Sequence, residues 1–296
     1  MSSATLWGML DWSILGPAWL AGLLILTTHV PLGQQVLARG IIFVDLAIAQ
    51  LAGLGVIVAS TLGWEAQGWQ TQLAAVSTAM LGALLLSWSE KHWPQIQEAL
   101  IGVLFVLSAT GAIVLVSADP HGGEHLKDLL VGQILWVTSA DLVPVAALYA
   151  VVLTLWFGAR KRLGALGFYM LFAVMVTVSV QLVGVYLVFA SLIIPALATR
   201  GMRDRMAALG PFANTATPDA GGTSPGMGDV DHVGSGRSRA TQRLALGYAL
   251  GAAGYAAGLV LSALFDLPAG AVVVWMLALL GVLVAALLAI GCRLTA

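Results

Sequence analysis

Four polar side chains interrupt stretches of sequence apolar enough to live in lipid: His29, Asp45, Gln50 and Gln181. A polar group inside a hydrocarbon span is costly unless it faces the bundle interior or a water-filled route. Carboxylate and imidazole are also ligands for divalent cations, and glutamine supplies a neutral oxygen. The four are therefore candidates for lining a cation path, and Asp45 is the formal negative charge well inside the early spans. The competing reading is hydrogen bonding between helices, which polar residues in spans perform at modest gain. A second group, His121, Glu124 and His125 in "DPHGGEHLKD", fits the spacing of one zinc-protease motif. Gly122 and Gly123 after Pro120 oppose the regular helix that this motif needs, which argues against hydrolase chemistry. Weak capture of a metal ion by an outward-facing loop stays open beside an ordinary solvated loop. Asp229, Asp231 and His232 form a third, weaker set.

The elements that must position these groups follow from composition. The chain has 296 residues, 59% hydrophobic and 9% charged, with mean hydropathy +0.95, more apolar surface than a water-soluble fold can hide. A bilayer core needs about 20 apolar residues per helix. On that ruler spans fall near 17–37, 41–62, 70–88, 99–117, 141–158, 165–184, 186–199, 244–264 and 269–291. Residues 165–199 are one long apolar run, either two helices around Gly184 or one helix and a shorter re-entrant piece ending at Pro195, so eight and nine spans are both open. At 1.5 Å rise per residue, His29 and Gln50 both lie roughly 12–14 Å deep and could meet across a helix pair, while Asp45 sits nearer the mouth, turned about 140° from Gln50.

Charge position gives the orientation. With the N-terminus outside, twelve of the thirteen Lys and Arg residues fall on the cytoplasmic side, and Lys127 alone is left outside. This assumes that 165–199 crosses twice. The expected organisation is helices 1–7 over residues 1–200, with a short periplasmic re-entrant segment within 118–140. A disordered cytoplasmic loop at 201–243 and the last two helices over 244–296 complete it. The loop is assigned from its Gly, Ser, Thr, Pro and Asp content and lack of an apolar period. Net charge −1 gives no reason to expect nucleic acid as a partner. The single Cys292 forms no internal disulfide, the N-terminus lacks a basic region and cleavage pattern and reads as retained, and no phosphate-binding loop is present. Any nucleotide energy must come from another subunit.

Four stretches carry a resemblance: "PAWLAGLLILTTHVPLGQQVLARGIIFVDLAIAQLAGLGV" (17–56), "LLVGQILWVTSADL" (129–142), "QLVGVYLVFASLIIPALATR" (181–200) and "LSALFDLPAGAVVV" (261–274). Their order resembles the permease subunits of metal-ion ABC importers. The resemblance implies an all-α, BtuC-like type II importer permease in the bacterial cytoplasmic membrane, with no enzymatic activity of its own. It implies a homodimer working with cytoplasmic ATPase subunits and an extracytoplasmic metal-binding protein. The zinc, manganese or iron ion would be the substrate, with no permanently bound cofactor. The family's second span carries an aspartate and a histidine on one face. Aligned on Gly55-Val56, the histidine position holds Gln50, and Leu46 takes the aspartate's slot, with Asp45 one place earlier. Where the family has a longer cytoplasmic stretch with a docking helix, this chain has only "GARKRLGALG" (158–167), so Arg160, Lys161 and Arg162 are the candidate ATPase-docking residues. Two other readings remain: a cation channel or carrier without ATP coupling, and a membrane enzyme built on His121, Glu124 and His125.

Overall fold

The structure is a computed structural model that describes residues 11–65, 68–117, 127, 129–200 and 230–293, with the backbone alone at 160–161, 230–239 and 289–293. The described residues are helical with short connections: α1 (Trp12–Arg39), α2 (Val44–Thr61), α3 (Trp69–His92), α4 (Gln97–Val116), α5 (Ser139–Ala159), α6 (Arg162–Val183), α7 (Val185–Ala198), α8 (Val230–Phe265) and α9 (Ala269–Arg293). Eight of them hold a segment long and apolar enough to cross a membrane, and α7 is the short one. The chain is an all-α, multi-pass membrane protein.

Without water, helices attract one another mainly by close packing, so interfaces collect small residues. The contacts at those residues fix the direction of each helix. Gly22, Leu26 and Val30 of α1 face Tyr255, Gly251 and Gly247 of α8, so the two run antiparallel. Gly254 and Gly258 of α8 meet Leu277 and Val273 of α9, again antiparallel. On the other side, Gly55 of α2 lies against Ala74, Ala75 and Thr78 of α3, and Gly82 of α3 against Leu51. Helix α2 packs against α3, α4, α7 and the α5–α6 hairpin, which makes it the most enclosed element of the first half.

The long apolar run at 165–199 is two helices that reverse around Gly184, a full-length one and a short one. Helices α5 and α6 form a hairpin whose backbone leaves helical geometry at Gly164, with φ 57 and ψ −158. Its arms are pinned by the Tyr149 hydroxyl on Ser179 Oγ at 2.5 Å and by the Trp156 and Phe168 rings at 5.6 Å. Helix α6 starts beside the C-terminal end of α1, where the Arg39 guanidinium covers Phe168, and runs away from it. Helix α7 returns: Gly33 of α1 abuts Leu192 and Ala196, and Gly281 of α9 abuts Ile194.

The turn between α6 and α7 lies inside the bundle. Gly184, with φ 85, and Gly132, with φ 72, are stacked backbone to backbone there. A Cβ on Gly132 would collide with the Val183 carbonyl, one on Gly184 with the Gly132 backbone, and one on Gly270 with the Val131 carbonyl. Residues 129–137 therefore dip into the bundle, leaving Ile134 buried and Trp136 exposed. Two of the glycine-bearing stretches that carry the family resemblance, and the start of a third, meet at this point.

One expectation is corrected. Residues 230–243, taken for loop from their Gly and Ser content, are the first turns of α8, which starts at Val230. Extending an existing helix fixes one residue per hydrogen bond and needs no new nucleus, so a weakly helical sequence can follow an apolar span outward. Residues 201–229 lie outside the described residues.

The two directions of α6 and α7 make a topological prediction. A tag inserted after Arg162 and another after Arg205 are expected to be labelled from the same side of the membrane; a split result in an impermeant-reagent assay would contradict the reversal at Gly184.

Candidate functional site

Helix α1 holds His29 in mid-span, fully buried. Its Nδ1 lies 2.9 Å from the Ile25 carbonyl. A carbonyl only accepts, so the proton sits on Nδ1 and the Nε2 lone pair is left bare, without a hydrogen-bond partner. That is the form of imidazole that binds metal.

Asp45 occupies the first turn of α2, one residue past the start of the helix, and is also fully buried. Both of its carboxylate oxygens lack a hydrogen-bond partner. Buried charges are ordinarily paired, because desolvating a lone one costs several kcal/mol (roughly, after relaxation). Helix starts favour a carboxylate, and this placement returns a fraction of that penalty, roughly 0.3–1 kcal/mol. Gln50 is buried further along the same helix. Asp45 and Gln50 point in different directions, yet both are covered, since α2 has neighbours on several sides.

Gln181 lies near the C-terminal end of α6, and its Nε2 is buried without a partner. No direct hydrogen bond joins His29 to Gln50, although their depths allowed one: the imidazole folds back on its own helix instead. Among the described residues, no group of three or more His, Cys, Asp or Glu converges as a metal site. His29 and Asp45 therefore belong to no cluster of three or more such ligands among the described residues. His121, Glu124 and His125 lie outside the described residues, as does Asp229. At Arg160, Lys161, Asp231 and His232 the structure describes the backbone only, and Arg162 is exposed on the hairpin turn.

Sequence reasoning missed several buried polar groups. Gln34 Nε2, Glu98 Oε2 and the Tyr255 hydroxyl are buried without a hydrogen-bond partner. Gln34 was visible as part of "PLGQQ" in an apolar run; Tyr255 left no signal, since tyrosine is ordinary in spans. A larger omission is a polar layer where α1 and α3 end and α4 and α6 begin. There Arg39 Nη1 donates to Glu90 at 3.3 and 3.4 Å, Phe43 N–H donates to Glu98 at 3.2 Å, and Ser89 Oγ donates to Gln97 Oε1 at 2.8 Å.

The sequence matches the family model of the ABC 3 transport family over residues 11–168 and 162–217. The chain belongs to that family. Its fold is similar to a chain of PsaBC from Streptococcus pneumoniae in complex with Fab, with TM-score 0.66 over 96% of this chain and 95% of that one, at 18% sequence identity. The resemblance drawn from the four sequence stretches, to ABC importer permeases, therefore holds, and so does the all-helical permease fold. As an ABC 3 family member the chain is a membrane transport component. The match comes in two pieces that overlap at residues 162–168, so it is interrupted at the start of α6, beside the turn that carries Arg160, Lys161 and Arg162.

The unpaired carboxylate makes a stability prediction. Asp45→Asn keeps the shape and removes the buried acid, so the purified protein in detergent is expected to melt higher, at about 2–4 °C for each kcal/mol gained. A lower melting temperature would mean that Asp45 has a partner that stabilises the fold.

Proposed function

We propose that this ABC 3 family protein is the permease subunit of an importer for a divalent metal cation, with zinc, manganese and iron(II) as the candidate ions. The observation that carries the reading is Asp45, a carboxylate kept inside a membrane bundle with no protein partner. A group that destabilises the fold and is retained is expected to serve the activity. A divalent ion leaving water needs oxygen or nitrogen ligands along the way. Asp45 offers two oxygens, His29 a bare imidazole nitrogen, and Gln50 and Gln181 neutral oxygens. His121, Glu124 and His125 are proposed as weak outer ligands that collect the ion.

In this reading two copies of the chain pair, cytoplasmic ATPase subunits supply the energy, and an extracytoplasmic metal-binding protein delivers the ion. The basic residues Arg160, Lys161 and Arg162 on the hairpin turn meet the ATPase. The N-terminus faces outward and the C-terminus inward, in the cytoplasmic membrane of a bacterium. No cofactor is held permanently; the metal is cargo. Because His29 and Asp45 are both sealed from the surface, we take the conformation as one with the route closed, and opening requires the α1–α2 link to move.

A second reading is favoured by one feature. Helices α5 and α6 are joined with a single break from helical geometry, at Gly164, and with no separate docking helix between them. A carrier of the same ion without ATP coupling would need none.

Uptake by proteoliposomes, with zinc, manganese and iron(II) each offered, separates the two. The importer reading expects uptake only with the ATPase subunits and ATP; equal uptake without them favours the carrier. In either case Asp45→Asn is expected to lower uptake about tenfold, equivalent to ~1.4 kcal/mol, while His121→Ala has a smaller effect. Equal uptake by wild type and Asp45→Asn at matched protein would remove Asp45 from the path.

A further inference from the structure

The turn that carries Asp45 is fastened at both ends. Before it, α1 stops at Arg39 and reverses through Gly40, which has φ 73. The Arg39 guanidinium pairs with Glu90 at the end of α3 and lies over the Phe168 ring, 4.3 Å from its centroid. After it, the Phe43 N–H, at the start of α2, donates to Glu98 at the start of α4. Asp45 follows two residues later.

The same fastening reaches the hairpin turn that bears Arg160, Lys161 and Arg162. Phe168 is packed between Trp156 on the incoming arm, at 5.6 Å, and Phe172 on its own helix, at 5.5 Å. Next to it, the buried Tyr169 hydroxyl accepts from Gln97 Nε2 at 3.3 Å, and Gln97 also donates to the Leu86 carbonyl at 3.0 Å. Helices α3, α4 and α6 are thereby tied into one polar layer, and Arg39 is where α1 joins it. Phe168 lies close after the hairpin turn and is held against Trp156 and Phe172, so a displaced turn carries Phe168 with it. Phe168 and Arg39 share a face-on contact, so the movement is felt at the α1–α2 link.

We propose that Arg39 is a positioning residue: through Phe168 and Glu90 it transmits movement of the basic hairpin turn to the link that carries Asp45. This rests on the reading that an ATPase subunit engages that turn. Arginine suits the task where lysine would not. Its planar guanidinium can stack on a ring and pair with a carboxylate at once, whereas a lysine ammonium is a point charge on a flexible stem.

The test measures ions imported per ATP hydrolysed, by the permease and its ATPase subunits in proteoliposomes, with whichever of zinc, manganese and iron(II) wild type imports fastest. Arg39→Lys keeps the charge opposite Glu90, and Phe168→Leu keeps the apolar volume, so both leave the fold's packing largely in place. Each variant is expected to lower the ratio by at least about fivefold, with ATP hydrolysis within about twofold of wild type. The double variant is expected to be no worse than the weaker single, since the two residues act as one unit. An unchanged ratio in both singles overturns the proposal. So does a parallel fall of uptake and hydrolysis, which marks a purely structural role. Absence of ATP-dependent uptake by wild type would instead remove the importer reading and the proposal with it.

Discussion

Hydrocarbon offers the backbone no hydrogen bonds, so every peptide group at membrane depth has to be satisfied within the protein. Most of this chain obeys by being helical. The exception is the point where α6 ends and α7 begins, packed inside the bundle. Gly132 and Gly184 bring two backbones into contact there, and Gly270 admits a third strand of chain beside Val131. Helix α7 can be short because residues 129–137 descend to meet it. The direction of α7, its fit against Gly33 of α1, and the return of the chain to α8 all follow from that junction.

Polar side chains in the bundle fall into two sorts. One sort is satisfied: Arg39, Glu90, Ser89, Gln97 and Tyr169 bond across helices where α1 and α3 end, and Tyr149 bonds Ser179 within the hairpin. These contacts hold helices in register. The other sort is buried and unsatisfied, and includes His29 and Asp45. They lower stability without fixing geometry, and both carry the atoms that a divalent cation seeks. The satisfied layer lies beside the first turn of α2, in which the unsatisfied carboxylate sits.

Much of this was legible in the sequence, because lipid demands long apolar runs and leaves few places for charge. The spans read near 17–37 and 41–62 correspond to α1 and α2, and the shared fold followed from "LVGVYLVFASLIIPALATR" and "FDLPAGA". The run 165–199 was ambiguous because hydropathy alone does not register a reversal; the reversal depends on a glycine that touches a distant glycine. Residues 230–243 read as loop because composition does not report a helix prolonged from its neighbour. At the site, Asp45 and His29 stood out by type, but depth alone could not tell that His29 would bond its own helix and ignore Gln50. Arg39 was counted as one more cytoplasmic charge, and Glu90 and Glu98 were passed over, since their partners are far away in sequence.

The central claim is that water or an ion reaches Asp45 during transport although it is sealed in the conformation described. Accessibility at that position tests it most directly. With the lone native thiol removed by Cys292→Ser, Asp45→Cys is exposed to a small membrane-impermeant thiol reagent, with and without ATPase subunits turning over ATP. The account predicts slow labelling at rest and fast labelling during turnover. A thiol at position 45 that resists the reagent from both sides in every state would contradict it.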